Sequence, residues 1–117
     1  MDDLNMISFG IIADAGDSKH YSMEALANAE RHDFSNVDNL LRQSRNALEK
    51  ARRAQTDLLF AEMNGQAQKV SILLVHSQDH LMNAELALDL IEKMIKTLRN
   101  QAELEARVVY LERSLEG

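Results

Sequence analysis

The 117 residues suffice for one compact domain, and 45% hydrophobic residues with no proline, four glycines and few aromatics favour long helices around an aliphatic core over hairpin-rich β folds. A formal charge of −6 argues against a nucleic-acid partner, which needs a basic face, and the absence of cysteine excludes disulfides, thiolate catalysis and cysteine-based zinc sites. No apolar run approaches the roughly 20 residues of a membrane span, and Met1-Asp2-Asp3 is acidic, unlike a signal peptide, so a cytoplasmic protein is expected.

The first periodic segment covers about Leu4 to Ala29, with Met6, Ile7, Ile11, Ala15, Met23, Leu26 and Ala27 as its expected inner face. Gly16 inside it points to a kink or a close helix contact. Arg31-His32-Asp33-Phe34-Ser35 breaks the pattern, with Ser35 and Asp38 spaced as a capping box and Asp33 as an alternative cap. A second helix is expected from about Asn36 to Glu62, with Val37, Leu40, Leu41, Ser44, Leu48, Ala51, Gln55, Leu58 and Leu59 on one side. Gly65 suits its C-terminal turn.

The third helix is expected from near Gln68. Val70, Leu74, Ser77, Leu81, Ala84, Leu88, Ile91, Ile95 and Leu98 alternate spacings of four and three, a heptad seam. The fold class is therefore all-α, an antiparallel three-helix up-down-up bundle. Beyond Leu98, Leu104, Val108, Leu111 and Leu115 restart a four-three pattern displaced from that seam. This divides the chain into a helical domain over 1–102 and a helical tail over 103–117, joined to the third helix through a stammer or set apart from it.

The third helix carries a second stripe, Ile72, Val75, Asp79, Met82, Leu86 and Leu90, where a monomeric bundle needs only one. Self-association is the simplest supply of a partner. Asp79 is the odd member, since a carboxylate among aliphatic neighbours has to be paired, protonated or metal-bound. A salt bridge to a lysine or arginine of another helix is the plainest solution. Convergence of symmetry-related copies on a divalent cation is the other.

His76 and His80 lie four apart, adjacent on one helix face. Three chemistries fit them. H-x-x-D-H echoes the inverted zinc-protease motif, although no third ligand is evident. Both could be packing and hydrogen-bonding residues. Or a neutral imidazole could accept a phosphoryl group without needing a base, with His80, Gln78 and Gln55 as candidate donors to its oxygens.

Val70-Ser71-Ile72-Leu73-Leu74-Val75-His76-Ser77-Gln78-Asp79-His80-Leu81-Met82 closely resembles the signature of the lactose/cellobiose-type enzyme IIA of the bacterial phosphoenolpyruvate-dependent sugar phosphotransferase system. Ala15-Gly16-Asp17 with Met23-Glu24-Ala25-Leu26, and Gln55-Thr56, resemble its first- and second-helix motifs in order and spacing. The resemblance implies that His76 takes a phosphoryl group from the phosphocarrier HPr and passes it to the cysteine of enzyme IIB, serving uptake and phosphorylation of a β-linked disaccharide of the cellobiose, chitobiose or lactose class. It implies a homotrimer, a nine-helix bundle in which Asp79 of each copy holds a structural Mg2+ on the threefold axis. Membrane contact would then be indirect, through the transporter complex. Gln78 and His80 match positions near the phosphorylated histidine. The alternative is a bundle that kept the shape and lost the chemistry, a non-catalytic interaction module. The chain departs from the pattern at Ser18-Lys19 where Ala-Arg is common, at His32 where glycine is common, and at Arg52 where histidine is common. Residues after about Ala102 fall outside the resemblance.

Overall fold

With no proline to interrupt them, the periodic segments run as three α-helices. The structure, a computed structural model, describes residues 3–66 and 69–117. Among these, α1 spans Asp3–Glu30, α2 Val37–Met63 and α3 Ile72–Glu116, and no strand occurs. The all-α, three-helix architecture is as the periodicity predicts. The expected third-helix start near Gln68 lies outside the described residues. The helix instead begins at Ile72, behind an extended Ser71 whose Oγ accepts the Leu74 N–H at 3.1 Å. Val70, expected in the seam, precedes the helix and is exposed.

The α1–α2 turn is built differently from the expected capping box. Asp33 Oδ1 accepts both the Ser35 hydroxyl, at 2.7 Å, and the Ser35 N–H, at 3.2 Å. Ser35 is thus spent on Asp33, and Asn36 stands at the N-cap without capping a backbone N–H, its Oδ1 accepting instead from the Asn39 side chain at 3.2 Å. The Ser35 hydroxyl, then its N–H and the nearby Arg31, hold the Asp33 carboxyl below its ordinary value against a small opposing effect of burial. What this turn adds to stability is therefore present above the ordinary carboxylate range and fades as pH falls through the lowered value. His32 sits at φ 58°, the left-handed conformation that favours glycine, which is the residue the family pattern carries there.

The inner face of α1 is only in part the one hydrophobicity predicts: Ile11 and Ala15 are buried as expected, and the rest of the buried stripe is different. Ser8, Ile11, Ala15, Ser18, Ser22, Ala25 and Ala29 are buried, an unbroken alternation of three and four. Met6 at 61% and Met23 at 49% point outward, Ile7 is also exposed, and Leu26 and Ala27 are half-buried. Small side chains admit the backbones of two neighbours closely, so the stripe that packs is the small one. Its hydroxyls are mostly satisfied. Ser44 Oγ donates to the Ser18 carbonyl at 2.7 Å, across α1 and α2, and Ser22 Oγ donates to the Lys19 carbonyl at 3.0 Å. On α2, Val37, Leu40, Leu41, Ser44, Leu48 and Ala51 are buried as expected, joined by Ala47, while Leu59 is exposed. On α3 the seam from Ser77 through Ile95 is buried.

α1 packs broadly on both partners, whereas α2 and α3 meet along a narrower line. Three ion pairs mark that line: Asp38–Arg99, Arg45–Glu92 and Arg52–Glu85, each at 2.9 Å. They step by one heptad along both helices in opposite directions, so α2 and α3 are antiparallel. Each pair is solvent-screened and contributes on the order of 0.2–1 kcal/mol. Their sign order does more for register. A one-heptad slip sets Asp38 against Glu92 in one direction and Arg45 against Arg99 in the other.

At 1.5 Å per residue α3 is about 67 Å long and α1 about 42 Å. The molecule accordingly measures 75 × 23 × 20 Å, and every residue from Glu103 onward is exposed.

α1 runs unbroken through Gly16, and a Cβ built on it meets nothing within 4 Å. Gly16→Ala should therefore raise stability by about 0.5–1 kcal/mol, the helix-interior cost of glycine. Chemical denaturation of both proteins checks this, and a loss of stability would mean that the position is covered in the assembled protein.

Candidate functional site

α3 is fixed by its buried seam of Ser77, Leu81, Ala84, Leu88, Ile91 and Ile95, so its remaining faces are set relative to the bundle. Ile72, Val75, Asp79, Met82, Leu86 and Leu90 all point outward, Ile72 at 90% exposure. Within one chain the second apolar stripe has no cover. Asp79 carries no ion pair with another described residue, and the salt bridge to a neighbouring helix is not formed. Arg45 and Arg52 of α2 are engaged with Glu92 and Glu85, about 120–140° around α3 from Asp79.

His76 and His80 flank that stripe. His76 is exposed and His80 half-buried. Their Nε2 atoms are 3.0 Å apart and the rings stand edge to face, 87° between planes with centroids 4.4 Å apart. One ring donates its N–H to the other's lone pair. When His80 donates, its proton occupies the very lone pair through which His76 would act as a nucleophile. An electrophile arriving at His76 Nε2 would displace that bond and find the His80 N–H already beside it.

Gln78 and Gln55 are brought together, but not with the histidines. Gln78 projects about 160° around α3 from His76. It lines a cleft of about 210 Å³ between α2 and α3 together with Gln55, Leu58, Leu59, Glu62 and Leu74. Gln55 Oε1 is buried there with no hydrogen-bond partner among the described residues. Within one chain α3 turns Gln78 to a different face from His76, and Gln55 on α2 lines that same cleft. Arg52, at the position where the family pattern has histidine, is engaged with Glu85. His20 lies near Glu24 and His32 near Glu105, away from the pair, and no group of three or more His, Asp or Glu suited to a metal occurs among the described residues of one chain. The Ser71 cap that starts α3 five residues before His76 was readable only as a serine ahead of an apolar run.

The fold and this face define a class: a three-helix bundle that presents a hydrogen-bonded histidine pair on its surface beside an uncovered apolar stripe. Residues 6–99 match the model of the family described as the lactose/cellobiose-specific IIA subunit of the phosphotransferase system. The chain is 36% identical over 95 residues to the lactose-specific EIIA component of Staphylococcus aureus (strain N315), covering 81% of this chain and 92% of that protein. It is 33% identical over 101 residues to the corresponding component of Lactococcus lactis subsp. lactis, covering 86% and 96%. Among solved structures it resembles the cellobiose-specific enzyme IIA from Bacillus anthracis, with a TM-score of 0.84 and 32% identity over 91% of this chain and 94% of that one. It also resembles the chitobiose IIA–HPr complex of Escherichia coli, with a TM-score of 0.74 and 32% identity over 87% and 99%. This chain belongs to the lactose/cellobiose enzyme IIA family, a component of a sugar phosphotransferase system, and its role is phosphoryl transfer.

The His76–His80 bond has a direct test. His80→Ala should shift the ring ¹⁵N resonances of His76, because its tautomer balance no longer depends on the neighbouring ring. Unchanged His76 resonances would mean that the two rings do not share a proton in solution.

Proposed function

We propose that this chain is a phosphohistidine carrier that accepts a phosphoryl group from HPr on His76 and passes it to the cysteine of enzyme IIB. The observation that carries this reading is the exposed His76 ring with a second imidazole 3.0 Å from its Nε2, in a chain of the IIA family. The likeness to a IIA solved with HPr supports the donor. In the accepting step the His76 lone pair forms a P–N bond as the donor's bond to phosphorus breaks, while the other ring nitrogen keeps its proton. His80 then turns its N–H from His76 to a phosphoryl oxygen. In the donating step a thiolate of enzyme IIB takes the phosphorus and His76 recovers its lone pair. The absence of cysteine from this chain fits a carrier that hands on to a thiolate rather than holding one. The sugar belongs to the β-linked disaccharides of the lactose, cellobiose and chitobiose class. The carrier works in the cytoplasm and meets the membrane only through the transporter; no helix among the described residues is long and apolar enough to cross one.

The reading extends to assembly. Three copies meet through the exposed α3 stripe, which supplies the cover that one chain lacks. Asp79 fits a divalent cation: it is an unpaired oxygen donor in an aliphatic strip, and hard cations such as Mg2+ take carboxylate ligands. One carboxylate per chain is too few, so the ion would be held by the three Asp79 side chains and would offset their mutual repulsion. It supplies charge balance only and takes no part in phosphoryl transfer.

Incubation with phosphoenolpyruvate, enzyme I and HPr should add one acid-labile phosphoryl group to the intact mass of the wild type and none to His76→Ala. Unmodified, folded wild type beside phosphorylated HPr would overturn the carrier role. Asp79→Leu should keep the trimer and abolish any effect of chelator on its thermal midpoint. Folded monomers of that variant in a sedimentation run would count against the apolar stripe as the assembly face.

A further inference from the structure

The tail from Glu103 leaves the bundle as the last turns of α3 with no stammer, and among the described residues its one ion pair back to the bundle is Glu105 with His32 of the α1–α2 turn, at 3.5 Å. Its apolar side is out of phase with the buried seam for a reason visible in the structure. At about 100° per residue, Leu104, Val108, Leu111 and Leu115 lie nearly opposite Leu81, Leu88, Ile91 and Ile95, and on the same side as Val75, Met82, Leu86 and Leu90. From Leu90 the exposed stripe runs on as Leu90, Met94, Thr97, Gln101, Leu104, Val108, Leu111 and Leu115, alternating four and three without a break. An open groove of about 470 Å³, lined in part by Leu90, Met94 and Thr97, marks where this seam passes the end of the bundle.

We infer that the tail is an assembly element, a parallel coiled coil formed with the tails of other copies of this chain. The inference rests on the α3 stripe being the face through which copies meet, and extends that face beyond the family's core. Charge supports both the occupant and its direction. In the heptad set by Leu104, Val108, Leu111 and Leu115, Arg107 and Glu112 flank the seam five residues apart, the pair that meets between neighbours in parallel strands. Antiparallel strands would oppose Glu105 to Glu112 instead. A membrane surface is a poor occupant, since Glu103, Glu105, Glu112 and Glu116 outnumber Arg107 and Arg113.

The chain has no cysteine, so single thiols report cleanly. In the full chain, Leu115→Cys should give disulfide-linked chain pairs on mild oxidation, and Met82→Cys, within the bundle, should do the same. Val108→Asp with Leu111→Asp in the Leu115→Cys background should abolish the tail link and shift assembly to concentrations higher by on the order of 10-fold or more. Linkage through Met82→Cys but not through Leu115→Cys overturns the tail and leaves the α3 face standing. Linkage through Leu115→Cys alone keeps the tail pairing and removes the α3 face. Failure of both removes both. A disulfide between Leu104→Cys and Leu115→Cys chains would make the strands antiparallel and overturn the stated direction.

Discussion

The bundle depends on a heptad-spaced stripe of mostly small side chains on α1. Ser8, Ile11, Ala15, Ser18, Ser22, Ala25 and Ala29 let α1 lie close to both α2 and α3, and the bond from Ser44 to the Ser18 carbonyl locks the first of those contacts. Because α1 takes only one stripe of α3, that helix is left with a complete second stripe facing outward. The histidine pair and Asp79 lie along its edge and within it. A bulkier α1 face would tilt α3 and turn those groups elsewhere. The exposed histidine face and the uncovered stripe are thus both consequences of how α1 is packed.

The same geometry separates tasks around α3. The core seam holds the helix, the ion-pair line with α2 fixes its register, the stripe around Asp79 is left uncovered within one chain, and His76 and His80 stand at its margin. In such an arrangement the phosphoryl acceptor needs no cavity. On the proposed reading it needs an exposed ring, which His76 has, and a donor group beside it, which is the His80 ring 3.0 Å away once their mutual bond is displaced. An exposed carrier also suits transient partners, whose interfaces are small and polar.

Much of this was legible in the residues. The absence of proline and the four-three spacings locate three helices within a few residues, and Val75 to Met82 carries the chemistry in about two turns. The misread parts share a cause. Met6, Ile7 and Met23 look like core because they are apolar, but helix approach distance rewards serine and alanine, and no hydropathy pattern marks that. The Ser35–Asp38 spacing resembles a capping box, yet Asp33 competes for the same hydroxyl at 2.7 Å. Gln55 and Gln78 share chemistry with His76, but a two-residue step along α3 turns Gln78 away from it, into a cleft it lines with Gln55. The tail looked out of phase because it was compared with the buried seam. It is in phase with the exposed one.

The most direct measurement is ¹⁵N-histidine NMR of the protein before and after phosphorylation by phosphoenolpyruvate, enzyme I and HPr. The account predicts a phosphoryl group on one ring nitrogen of His76, a shift of the His80 ring, and His20 and His32 unmoved. A phosphoryl group on His80, His20 or His32, or a modified His76 with no response from His80, would contradict it.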